Sequence, residues 1–264
     1  MIFSFAVYCA MDNVKTTKAI FFDLGDTLIN SQIFGPNGEL RAVEEVIELY
    51  HLSKPPSEYL PLAEEAGKVV GVLIEKGRHL GESLQAYGTR LLKAKYAKLI
   101  ELMGGKPNQR TTELVFKAHL EGIATADSLF PEVKEVLEAL KGQYKLGLLS
   151  NNIVEYVRGP LEHLGLEHFF DVVVISGEEN TRKPEPEIFH RALQRIRTRP
   201  SEAMMVGDSI LEDVAAAKRV GMTAVWVNRS GEEPELEVKP DYTIRDLREL
   251  LDILQPKPEG GLKL

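Results

Sequence analysis

From residue 126 onward, short apolar runs alternate with stretches of helical periodicity. Pro131 opens a helical pattern that puts Val133, Val136, Leu137 and Leu140 on one face. Tyr144 to Leu149 reads as a strand ending at Ser150, Asn151 and Asn152, and a helix follows to about residue 164, where Gly165 stops it. Val172 to Ile175, Ala203 to Val206 and Thr223 to Val227 read as further buried strands. Residues 186–196 and 209–220 read as the helices between them, the second closed by Gly221. Upstream, Ile20, Phe21 and Phe22 form an apolar run that breaks at Asp23. Strands alternating with helices predict an α/β fold, a doubly wound parallel sheet covered by helices on both faces.

Residues 31–125 break this rhythm. Helical periodicity runs over 40–50, about 57–76, 80–103 and 109–122, and strand-like alternation is absent. The stripe Leu84, Tyr87, Leu91, Leu92, Tyr96, Leu99 and Leu102 illustrates the pattern, which predicts an all-helical module inserted after the first strand. The resulting division is a lead-in at 1–17, a core at 18–30 and 126–252, the helical insert at 31–125, and a Pro- and Gly-rich loose tail at 253–264. Two segments, Ile33 to Gly38 and Gly104 to Pro107, read as loops of the insert that reach toward the core.

A net charge of −8 argues against nucleic acid or an anionic membrane as the main partner, and leaves room for a small phosphorylated ligand. Cys9 is the single cysteine, so no intrachain disulfide forms and a cytoplasmic setting is the simplest expectation. The apolar stretch MIFSFAVYCA has no basic residue before it and is too short to span a bilayer; Met11 is read as the alternative translation start. A monomer and a homodimer both remain open.

Polar groups stand at the ends of several predicted strands. Asp23, with Asp26 and Thr27 after it, follows the first; Ser150 and Asn151 follow the second; Asp208, with Glu212 and Asp213, follows another. Lys183 lies before Pro184, which holds it on an extended backbone. Each has a bland reading: a turn residue for Asp23, a helix N-cap for Asp208 or Ser150, a surface cation for Lys183 or its neighbour Arg182. In this order and placement the set resembles the four motifs of the haloacid dehalogenase-like (HAD) hydrolase superfamily, with the helical insert similar to that superfamily's cap.

The resemblance implies a phosphatase that forms an aspartyl-phosphate on Asp23, with Lys183 pairing with the nucleophile and the phosphate. It implies Mg²⁺ held by Asp23, Asp208, Asp213 and the backbone carbonyl of Gly25, and a phosphate contacted by Ser150, Asn151, Thr27 and Lys183. Glu212 stands where many relatives carry Asn and is read as solvent-facing, with a supporting role as the lesser alternative. The implied substrate is a small phosphorylated metabolite.

One position departs from this pattern. The family's phosphatases place a general acid–base aspartate two residues after the nucleophile, where this chain has Gly25. Asp26, one position later, is read either as a substitute acid or as a turn residue accepting backbone N–H groups. Dehalogenases also lack that aspartate but need no metal. A phosphonate hydrolase would need a Schiff-base lysine, and Lys68, Lys76, Lys93, Lys95 and Lys98 of the insert are not distinguished by spacing. A catalytically weak binder of a phosphometabolite or protein is the reading outside the enzyme class.

Overall fold

A computed structural model describes residues 16–232 and 237–254. The apolar N-terminal stretch, Cys9, Met11 and residues 255–264 lie outside the described residues. Among those described, β1 (Ala19–Phe22), β2 (Lys145–Ser150), β3 (Val172–Ile175), β4 (Ala203–Gly207), β5 (Thr223–Val227) and β6 (Tyr242–Ile244) form one parallel sheet. Its order is β3-β2-β1-β4-β5-β6, so the chain builds outward on one side of β1 and then on the other. The crevice between β1 and β4 is therefore a topological switch point, where open α/β sheets place ligands beyond the carboxyl ends of their strands.

The strands are apolar on both faces because both are covered. Ile20 and Phe22 join Leu146, Leu148, Met204 and Val206 in one buried cluster, beneath α5 (Val133–Leu140), α6 (Glu155–His163) and α10 (Arg248–Leu254). Ala19 and Phe21 join Leu149 and Met205 in the other, beneath α8 (Pro186–Ile196) and α9 (Ala216–Arg219). A Cβ at Gly147 would fall 2.4 Å from the Phe21 ring, so glycine in β2 is what lets that ring lie flat in the layer. The expected doubly wound sheet is present. Short β6 and α10 lack a strong periodic signal and lay outside the expected elements; Ile253 and Leu254, expected in a loose tail, belong to α10.

Between β1 and β2 stand α1 (Ser31–Tyr50), α2 (Pro56–Lys76), α3 (Leu84–Leu102) and α4 (Gln109–Ala124), with α1 against α4 and α2 against α3. They share a buried cluster that includes Val43, Val46, Tyr96, Leu99, Val115 and Phe116. Polar contacts dock them on the sheet domain. Gln85 accepts from Val154 N (2.9 Å) and donates to Glu155 (2.8 Å), and Asn180, which caps the short α7 (Ser176–Glu179), accepts from Leu84 N (2.9 Å). No helix among the described residues is long and apolar enough to cross a membrane.

The segment Ile33 to Gly38, expected as a loop, lies inside α1. Gly35, Pro36, Asn37 and Gly38 carry turn chemistry, yet packing overrides it. The Asn30 side chain caps Gln32 N (2.9 Å), and Phe34 packs edge-on against Tyr156. Gly38 lets α4 approach, since a Cβ there would lie 2.6 Å from the His119 ring. Residues 104–107 are indeed irregular.

That close crossing buries His119 beside Glu39, Tyr96 and Tyr156. The Lys95 ammonium meets Glu39 at 2.5 Å, Tyr96 is fully buried, and His119 Nε2 pairs with the Tyr156 hydroxyl. Burial pushes the imidazole down to about 4, opposed by a backbone hydrogen bond at Gly38 and reinforced by repulsion from Lys95. The unfolded imidazole takes up a proton near pH 6.5 while the folded one stays neutral. Stability is therefore unaffected by this group above pH 6.5, falls by about 1.4 kcal/mol per unit as pH drops toward 4, and levels off below. Urea unfolding across this range should show that loss in the wild type and a flatter profile in His119→Gln. Equal slopes in the two proteins would assign the acid sensitivity elsewhere.

Candidate active site

Register places the functional side chains at one edge. Phe22 pairs with Leu148 on one side and Val206 on the other, and Asp23 N continues the ladder to Val206 O at 2.9 Å. Asp23, Ser150 and Asp208 thus emerge together from the carboxyl ends of β1, β2 and β4. Asp213 is brought back to them by the turns after β4. Residues 210–215 adopt π-helical geometry, with the Ser209 hydroxyl capping Glu212 N at 3.1 Å, before the chain continues into α9. The helix expected over 209–220 is therefore wound more widely in its first half.

At the centre lies the Lys183 ammonium, 1% exposed, at 2.6 Å from Asp23 Oδ1 and 2.6 Å from Asp213 Oδ1. The second Asp213 oxygen accepts from Ser209 N at 3.0 Å. Gly207 is essential to this placement: a Cβ there would fall 2.3 Å from both Cγ and Oδ2 of Asp213. Asp208 is half-buried, and its carbonyl accepts from Trp226 Nε1 at 2.8 Å. Carboxylate oxygens of Asp23, Asp208 and Asp213 all lie within 4.8 Å of one another.

The electrostatics follow from burial. Desolvation raises Asp23 to about 7, opposed by Lys183 and reinforced by Asp213; desolvation, Asp213 and Asp26 together raise Asp208 to about 6. For Lys183 burial works against the charge, but Asp213 and Asp23 outweigh it and hold the ammonium above the ordinary lysine value. One ammonium among three ionised carboxylates leaves a net charge of −2, which one divalent cation would neutralise. Their all-oxygen donor set suits a hard ion such as Mg²⁺.

The other expected residues divide. Ser150 is buried at the end of β2, one residue past the register of Asp23's strand, and Thr27 is fully buried with its Oγ1 unpartnered. Asn151 is not free: its Nδ2 donates to Lys183 O (2.8 Å) and Glu212 (2.9 Å), and its Oδ1 accepts from Lys183 N (2.8 Å). An amide with those atoms engaged is poorly disposed to bind phosphate. Glu212, expected to face solvent, bridges Asn151 and Arg182 instead. Asp26 sits in the left-handed region (φ 51°), and its carboxylate accepts from Ser31 N (3.0 Å) and Ser31 Oγ (2.8 Å). That is the turn-and-cap role. Around Gly25 the direction of a Cβ is open, with nothing within 4 Å. The sequence reading missed Arg229, which donates to Asp26 O (3.2 Å) and Thr27 O (2.7 Å), pairs with buried Glu132 (2.8 Å) and stacks on Phe130. Its position two residues beyond an apolar strand was the only available signal.

Residues 17–221 match the family described as haloacid dehalogenase-like hydrolase. The chain belongs to this family. It is a hydrolase by that membership, and the named relatives are mainly phosphatases. It is 28% identical over 252 residues to N-acylneuraminate-9-phosphatase of Mus musculus, covering 92% of this chain and 95% of that protein. It is 32% identical over 245 residues to glyceraldehyde 3-phosphate phosphatase of Methanothermobacter thermautotrophicus, covering 89% and 99%. Among solved structures, 2-haloacid dehalogenase from Pseudomonas syringae superposes with a TM-score of 0.69 at 26% identity, covering 90% of this chain and 98% of that one.

The clash at Gly207 supplies a test of the acidic cluster. Gly207→Ala should displace Asp213 and weaken Mg²⁺ binding by about tenfold or more, read by titration calorimetry, while circular dichroism stays native. Unchanged affinity would show that Asp213 is not part of the cation site.

Proposed function

We propose that this hydrolase is a Mg²⁺-dependent phosphatase of a small phosphorylated metabolite, acting through an aspartyl-phosphate on Asp23. The observation that carries the reading is the convergence of Asp23, Lys183, Asp208 and Asp213 at the switch point of the sheet. Asp23, Asp208 and Asp213, with the Gly25 carbonyl, would hold the ion, whose chemistry is to neutralise charge on the phosphoryl oxygens. The free Asp23 oxygen attacks phosphorus, and the bond to the leaving-group oxygen breaks. Lys183 keeps Asp23 aligned and offsets charge on the transferred group. Ser150 and Thr27 donate hydroxyl hydrogen bonds to phosphoryl oxygens. Water then cleaves the aspartyl-phosphate. In this reading residues 31–125 are the cap over a core of residues 18–30 and 126–252, and the cap supplies substrate selection.

The general acid is the missing part. Gly25 has no side chain, and Asp26 is engaged by Ser31. General acid–base catalysis contributes about 10²–10⁴-fold, or roughly 3–5 kcal/mol. Esters whose leaving group departs without a proton should therefore be favoured. In the presence of Mg²⁺, p-nitrophenyl phosphate should turn over far faster than alkyl phosphates, and Asp23→Asn should abolish the activity. Wild-type enzyme inert toward every phosphate ester would sink the reading.

Gly25→Asp should raise alkyl-phosphate turnover by about tenfold or more, since the Cβ direction is open and Gly25 is outside the left-handed region. An unchanged rate in the folded variant would show that the proton is not limiting.

The absence of a carboxyl at 25 also favours a second reading, displacement of halide from a 2-haloacid by the same Asp23 oxygen. The acidic trio, which that chemistry does not need, speaks for phosphoryl transfer. Halide release from 2-chloropropionate without Mg²⁺ would favour the alternative.

A further inference from the structure

Lys183 reaches its two carboxylates from a backbone that is held by a closed ring of side chains. Asn151 grips it from both sides: Oδ1 accepts from Lys183 N at 2.8 Å, and Nδ2 donates to Lys183 O at 2.8 Å. The same Nδ2 donates to Glu212 Oε2 at 2.9 Å, which fixes the amide plane. Glu212 Oε1 in turn accepts from Arg182 Nη2 at 2.9 Å, and Arg182 Nε reaches back to Lys183 O at 3.4 Å. The ring joins three segments: the end of β2, the turn before α8, and the wide turn after β4. Each segment also carries a member of the site, namely Ser150, Lys183 and Asp213.

We propose that Glu212 and Arg182 are positioning residues for phosphoryl transfer, acting through Asn151 on the backbone of Lys183 and so on its ammonium. The inference rests on the phosphatase reading above. The two bonds to Lys183 align the amide with that backbone but tie it to no other segment, so the two can shift together. Glu212 removes that freedom by taking the remaining Nδ2 hydrogen, and Arg182 holds Glu212 in place. The carboxylate also selects the orientation of the amide: Nδ2 must face Glu212, so Oδ1 must face Lys183 N. An Asn at position 212, with a shorter side chain and no charge, would satisfy neither Arg182 nor the amide in the same way. Misplacement of a reacting group by about 1 Å costs on the order of 10²-fold in rate, so a positional hold on Lys183 has a kinetic value apart from stability.

The test separates placement from folding. Glu212→Ala should lower kcat on p-nitrophenyl phosphate by about tenfold with KM changed less than about twofold, and the thermal midpoint should stay close to the wild-type value. Affinity for orthovanadate, a mimic of the transferring phosphoryl group, should fall in parallel when measured by calorimetry with Mg²⁺. Asn151→Asp sets two carboxylates against each other and should be more damaging than Glu212→Ala. Adding Glu212→Gln to Asn151→Asp returns a donor to that contact and should recover part of kcat. A folded Glu212→Ala enzyme with wild-type kcat and vanadate affinity overturns the proposal, as does a loss confined to the thermal midpoint. If the wild type turns over no ester yet binds vanadate, the phosphatase reading fails, and the vanadate comparison still decides the role of Glu212. If it does neither, both inferences fall.

Discussion

One buried ammonium organises the molecule's chemistry. Lys183 stands between Asp23, 160 residues before it, and Asp213, 30 residues after it, at 2.6 Å from each. Removing one partner from a buried ion pair typically costs about 3–5 kcal/mol, because the remaining charge is left without compensation. The pairing therefore constrains three distant parts of the chain to one geometry. It does so at a point where burial works against the charges of Asp23 and Lys183. Desolvation pushes Asp23 up and works against the charge of Lys183, and only the mutual contacts keep the ammonium charged.

The sheet makes that meeting possible. Parallel strands deliver their carboxyl ends to one edge, and the order β3-β2-β1-β4-β5-β6 puts Asp23 between Ser150 and Asp208. Two glycines keep the arrangement tight. Gly147 in β2 accommodates the ring of Phe21 from the neighbouring β1, and Gly207 leaves the space that the Asp213 carboxylate fills. Arg229 then ties the loop after Asp23 to buried Glu132 through the carbonyls of Asp26 and Thr27. Asp23 is thus braced from the strand, from the lysine and from the loop.

Much of this was legible in the residues themselves. The alternation after residue 126 carries the strands, since Val172–Ile175 and Thr223–Val227 are apolar on both faces and have no other use. Asp23, Lys183 and Asp208 could be picked out because each breaks an apolar or extended pattern at a strand end or beside a proline, and Asp213 because it follows Asp208 by five residues on the next helix. What escaped depends on contacts between distant segments. Gly35 and Pro36 signal a turn locally, and only the packing of Phe34 and Gly38 on Tyr156 and His119 makes that stretch helical. Glu212 and Arg182 look like solvated surface charges until Asn151 is found between them and Lys183. Asn151, a phosphate candidate by its place after Ser150, has its amide committed to the Lys183 backbone and to Glu212.

The Gly25 departure is easiest to understand as a separation of labour within one site. Enzymes lower barriers by about 8–23 kcal/mol, of which a general acid supplies roughly 3–5. The Asp23 carboxylate, the Lys183 ammonium and the acidic trio do not depend on a side chain at position 25, and all are in place here. Nor does the gap strain the fold: the open space around Gly25 and its ordinary backbone conformation show that an aspartate is absent without any local rearrangement to exclude it. Asp26 has meanwhile taken up the left-handed turn and the bonds to Ser31, a role that holds the start of α1 and leaves its carboxylate engaged. What the chain lacks, in the phosphatase reading, is therefore help for the departing oxygen rather than the means to make the bond to phosphorus. In the phosphatase reading the consequence falls on the range of leaving groups, and the bond-forming machinery is preserved.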